Sequence, residues 1–74
     1  MTDLSDLTPQ QVRIAELVGR CLPVKQIAAR EGVSERRVRC VITSIAYRIG
    51  ADHSLDDRLQ VALWWHVQQA LRAA

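Results

Sequence analysis

Only three residues, Gly32-Val33-Ser34, separate two runs of helical apolar spacing, and this short break constrains the chain more than any other feature. Gly32 reads as the stop of one helix, because glycine adopts the left-handed conformation that closes a helix end. Ser34 reads as the N-cap of the next, and Glu35 suits the positive start of its dipole. Beyond the break, Val38, Ile42, Ile45 and Ile49 fall at i, i+4, i+7 and i+11, a single narrow apolar stripe that ends at Gly50.

The pattern extends both ways. Upstream, Thr8 is a good N-cap, Pro9 sits where a missing N–H costs nothing, and Gln11 completes a capping box, with Leu7 and Val12 as a hydrophobic staple. Ile14, Leu17 and Val18 continue at helical spacing, and Gly19 weakens the end of that helix. Pro23 opens a short second helix with Ile27 and Ala28 inward. Downstream, Ser54 reads as a cap, and Asp56 and Asp57 fall in the first turn of a long fourth helix. The spacing predicts helices over about 9–20, 23–31, 35–49 and 55–72, and no strand. Residues 1–6, with Asp3 and Asp6 and no base, are expected to be a flexible acidic N-terminus, and 7–74 one compact all-α domain. Phe is absent and aromatics are 4%, so the core must be aliphatic.

The net charge is only +2, but it is unevenly spread. From Ser34 to Ile49 the chain carries Arg36, Arg37, Arg39 and Arg48 against Glu35 alone. With the apolar stripe turned inward, the opposite side of the third helix holds Arg36, Cys40, Thr43, Ser44 and Tyr47, flanked by Arg37, Arg39 and Arg48. Two helices joined by a tight glycine turn, the second of them basic, form the helix-turn-helix signature. Arginine suits a helix lying in the major groove, because its planar fork grips guanine edges or phosphate oxygens in bidentate fashion. The third helix is therefore expected to be the recognition helix.

The ordered set Leu7-Thr8-Pro9, Ile14, Leu17-Val18, Leu22, Lys25, Ile27-Ala28, Gly32-Val33-Ser34-Glu35, Val38, Ile42, Ile45 and Ile49-Gly50 resembles the LuxR/GerE-type helix-turn-helix domain, without gaps from Leu7 to Gly50. The resemblance implies four helices, the third in the major groove, and dimerisation through the fourth. It implies base contacts at Arg39, Cys40 and Thr43, and phosphate contacts near Lys25, Arg36 and Arg37. It also marks departures. Cys21 stands where the family usually has glycine, Glu31 where it has leucine, and Val24 where it has a polar residue. Cys40 and Val41 are less polar than the pattern expects, which points to apolar contacts with thymine methyls.

The fourth helix carries apolar residues on more than one face: Leu59, Ala62, Leu63 and His66 on one side, Val61, Trp64, Trp65 and Leu71 around the rest. One set can be buried inside a small domain and the other requires a partner. Val61, Trp64, Trp65, Gln68 and Leu71 are the expected two-fold seam of a homodimer, with one of the two tryptophans packing on its own core. Such a dimer would read a pseudo-palindromic operator.

These readings point to a bacterial, cytoplasmic, nucleoid-associated transcription regulator that binds double-stranded DNA. The alternative is an adaptor on the same scaffold that binds RNA polymerase or another regulator. No catalytic constellation is evident, so an enzyme is not expected. Cys21, Cys40, His53 and His66 fit no zinc spacing, so neither a metal nor a cofactor is expected. Every apolar stretch is broken by charges, so no membrane span is expected.

Overall fold

The computed structural model describes residues 4–52 and 54–73 and is all-α. A single turn of 3-10 helix (Leu4–Asp6) leads into α1 (Pro9–Gly19), α2 (Val24–Glu31), α3 (Glu35–Arg48) and α4 (Asp57–Ala73). The four helices lie within one or two residues of the ranges expected from the sequence. Of the N-terminal segment expected to be flexible, residues 1–3 lie outside the described residues, and residues 4–6 form the 3-10 turn, closed by Leu7 N–H donating to the Leu4 carbonyl at 3.1 Å. The turn carries Leu7 into the core.

The helix starts follow local chemistry. At α1 the capping box is complete: Gln11 N–H donates to Thr8 Oγ1 (3.2 Å) and Thr8 N–H to Gln11 Oε1 (2.9 Å). At α3, Ser34 Oγ accepts from Arg37 N–H at 3.0 Å. The cap of α4 is Asp56 rather than Ser54. Asp56 Oδ1 accepts from the N–H groups of Arg58 (2.8 Å) and Leu59 (3.2 Å). Ser54 is instead held in the preceding loop, its N–H and hydroxyl both donating to Asp52 Oδ1. A carboxylate is the stronger acceptor at the positive end of a helix.

The helix ends share one device. After α1, α2 and α3 the chain passes through a left-handed residue, Cys21 (φ 63°), Gly32 (φ 67°) and Gly50 (φ 72°). The next N–H then reaches back five residues: Leu22 to Leu17 O, Val33 to Ala28 O, Ala51 to Ala46 O. These are Schellman closures, and glycine normally supplies the left-handed residue. Cys21 adopts that conformation despite its Cβ, at a cost of roughly 1–2 kcal/mol.

The core is built from β-branched residues. Ile14, Ile27, Val38, Ile45 and Val61 are its largest wholly buried side chains, contributed by all four helices. α4 lies across α1 and α3. Gly19 explains how closely: a Cβ at that position would collide with the Trp65 ring. The glycine that weakens α1 as a helix former thus makes room for the indole. Nearby, His66 Nε2 donates to the Gly19 carbonyl at 2.8 Å. The loop before α4 is closed by Gln60, whose amide takes Asp52 N–H (2.7 Å) and donates to Asp52 O (2.7 Å). At the departure Glu31, the carboxylate pairs with Arg13 Nε at 3.0 Å and joins the end of α2 to α1.

Candidate nucleic-acid interface

α3 has one buried side and one open side. Val38, Val41, Ile42, Ile45 and Ala46 are buried, with Ile49 half-buried behind them. The buried arc is therefore wider than the four-residue stripe. Val41 belongs to it, which corrects the expectation that Val41 meets thymine methyls. Its side chain is inside the protein.

The open side holds every α3 residue expected to meet DNA. Arg36, Arg37, Arg39, Cys40, Thr43, Ser44, Tyr47 and Arg48 are all exposed, and Lys25 at the start of α2 is exposed beside them. Tyr47 is 77% exposed, the highest among the large hydrophobic side chains left on the surface. α4 packs on α3 and its start borders this surface at one flank, but every one of these side chains stays exposed, so no described residue buries the surface.

The side chains on that surface are not equally free. Arg36 and Lys25 make no hydrogen bond or ion pair with any described residue. Arg37 Nη2 donates to Gln10 Oε1 at 3.0 Å, which leans it toward α1. Arg48 Nη1 donates to the Asp6 carbonyl at 3.0 Å, so the N-terminal turn steadies it. Arg39 Nη2 lies 3.5 Å from Glu35 Oε1, an exposed i, i+4 pair of the kind worth a few tenths of a kcal/mol. A phosphate or a base edge competes easily with contacts this weak. Thr43 Oγ1 donates to the Arg39 carbonyl at 3.0 Å. Its hydroxyl proton is thereby used within the helix, which leaves lone pairs and a methyl group to offer. Those features suit an amino group of cytosine or adenine, or a thymine methyl.

The expected dimer seam is corrected more sharply. Val61 is wholly buried and Gln68 is buried in the single chain, so neither is on a surface. Trp64 and Trp65 are both half-buried against the core, where one had been expected at an interface. Leu71 alone of the five is exposed. α4 is rotated so that both indoles pack on the core, Trp65 against α1 at Gly19, and the leucines face out. Leu59, Leu63, Val67 and Leu71, spaced four apart, are 51–58% exposed. The indoles bury more area than leucines would, and Gly19 gives one of them a seat, which settles the rotation.

Sequence reasoning gave no role to Arg58, in the first turn of α4 and exposed near Lys25 and Arg39. Its position on a separate helix hides it from any pattern along α3. Among the described residues no group of three His, Cys, Asp or Glu side chains is placed to hold a metal ion, and His53 lies outside them. No described helix is long and apolar enough to cross a membrane. No family model, curated protein or solved structure matches the chain.

Proposed function

We propose that this chain is a sequence-specific double-stranded DNA-binding protein of the LuxR/GerE helix-turn-helix type, acting as a transcription regulator in the cytoplasm. The observation that carries the reading is the open side of α3. Arg36, Cys40, Thr43 and Tyr47 point away from the core, with cations along both edges and no other helix over them. A helix offering polar and cationic groups over its outer half, with Glu35 as its one acid, is suited to a groove between two phosphate ridges. Lys25, Arg36, Arg37 and Arg48 position the protein on the backbone. Arg39, Cys40 and Thr43 read base edges, with Ser44 and Tyr47 at the margin.

The dimer in this proposal is formed through α4, but on its leucine side. Leu59, Leu63, Val67 and Leu71 form the apolar row that a two-fold partner would cover. Two recognition helices would then fall about one DNA turn apart on a pseudo-palindrome. Selection from a random DNA pool tests all of this. An enriched inverted repeat is the expected outcome. Failure to enrich any sequence, with no duplex retained even at low salt, would defeat the reading.

The same leucine row favours a second reading, in which α4 docks on RNA polymerase or another regulator and α3 is an ordinary solvated face. Under it, charge removal on α3 leaves function intact and leucine replacement on α4 abolishes it.

A further inference from the structure

We infer that Arg58, on α4, is a DNA-backbone contact, and that the cleft it shares with Lys25 and Arg39 grips one phosphate ridge of the duplex. The inference rests on the DNA-binding reading above and adds a residue from a helix to which that reading gives only dimerisation.

An open cleft of about 510 Å³ lies between the start of α2, one flank of α3 and the start of α4. Lys25, Arg39 and Arg58 line it, each from a different helix, together with Glu35 and Asp57. Three cations face two carboxylates, and Glu35 is already paired with Arg39 at 3.5 Å. The cleft therefore keeps a net positive charge. The guanidinium of Arg58 has no hydrogen bond or ion pair with any described residue, and neither has the Lys25 ammonium. These two groups lie 33 positions apart in the chain and are brought to one opening by the fold. They are free to take an anion there.

The position of the cleft says which anion. Thr43 lines it too, and Thr43 also lines the groove with Ser44, Tyr47 and Arg48 on the outer side of α3. The cleft is thus the edge of the candidate recognition surface. A helix in the major groove, a channel about 12 Å wide, meets a phosphate ridge on each side. Arg37 and Arg48 serve one edge of α3, and Lys25 and Arg58 serve the other, with Arg39 between them and the base edges. Without Arg58 the second edge would depend on Lys25 alone.

The test is the salt dependence of binding to a selected duplex between roughly 50 and 200 mM salt, for the wild type, Arg58→Ala, Arg58→Lys and Arg72→Ala. Arg72 is exposed at the far end of the same helix and serves as the charge control. Arg58→Ala should lower affinity about tenfold on every sequence alike and flatten the slope by about one phosphate. Arg58→Lys should restore the slope, Arg72→Ala should leave it unchanged, and Asp57→Asn should strengthen binding. Inorganic phosphate, titrated against wild type and Arg58→Ala by NMR, separates a free-anion site from a DNA contact.

The inference is overturned if the wild type binds DNA and Arg58→Ala keeps its slope, or loses no more than Arg72→Ala. It is equally overturned if phosphate saturates the cleft while duplex affinity ignores Arg58. A wild type that binds no duplex defeats the DNA-binding reading itself, a result distinct from both.

Discussion

On α3 the side chains turned away from the core are Arg36, Cys40, Thr43 and Tyr47; on α4 they are Leu59, Leu63, Val67 and Leu71. Both rows are open to solvent, and both helices bury their other side in the same core. Their chemistry is opposite. The α3 row costs little in water, because its polar heads stay hydrated and its weak ion pair is dispensable. The α4 row leaves three leucines and a valine half or more in water, where burying each fully would be worth about 1.5–3 kcal/mol. A domain of this size has only a few kcal/mol of stability to spare. The comparison teaches that, under the proposed reading, the two helices would answer different partners, a polyanion on α3 and an apolar surface on α4.

The largest expected effect would break the α3 half of that contrast. Arg36→Ala combined with Arg37→Ala should reduce duplex affinity by about a hundredfold or more, since each lost charge-assisted hydrogen bond is worth about 1.5–3 kcal/mol. Fluorescence anisotropy at fixed salt measures it. Both side chains are exposed, so circular dichroism should show an unchanged fold. If the double variant binds like the wild type, α3 is a solvated face and the adaptor reading takes its place.

The α4 half is tested by Leu63→Glu. A charge at the centre of the row should drive the chain to monomer in sedimentation experiments and lower operator affinity roughly tenfold or more, because each two-fold contact is lost twice. Val61→Ala is the informative opposite. It leaves the outer row intact and removes two methyl groups from the wholly buried interior, at about 2 kcal/mol of stability. A Leu63→Glu protein that unfolds instead of dissociating would show that the row is part of the core.

How much of this was legible from the sequence differs between the same two helices. α3 declared itself: Ser34, Gly50 and the spacing of Val38, Ile42, Ile45 and Ile49 fix where it starts, where it ends and which side is inward. Every basic residue assigned to its outer side is exposed. α4 was misread because it is apolar nearly all round. Periodicity cannot choose between two apolar faces, and the choice is made by a long-range contact, Trp65 against Gly19. Glycine at 19 carried that signal, but along one helix it looks only like a poor helix former. Arg58 was missed for a related reason, since its neighbours in the cleft come from two other helices.

That contact yields a smaller prediction. Gly19→Ala should displace Trp65 and cost about 1–3 kcal/mol, the usual range for overpacking. The near-ultraviolet dichroism of the tryptophans should change while α3 still binds DNA. An unchanged aromatic signal would mean that the indole is not seated there.

The smallest effect has the opposite sign and lies at the end of α1. Three helices close in the same way, two of them through glycine and one through Cys21 at φ 63°. Cys21 is exposed, so its side chain returns little packing for the strain it imposes. Cys21→Gly should therefore stabilise the fold by about 1 kcal/mol, the left-handed cost recovered less the greater freedom glycine has when unfolded. In a domain this small that is a rise in Tm of roughly 4–8 °C. Cys21→Ala keeps the Cβ and the strain, so it should leave Tm nearly unchanged, which separates a backbone effect from removal of a thiol. Neither change should alter DNA affinity, since Cys21 lies outside the recognition surface. Equal gains from glycine and alanine would show that the thiol, and not the backbone, limits the stability of this turn.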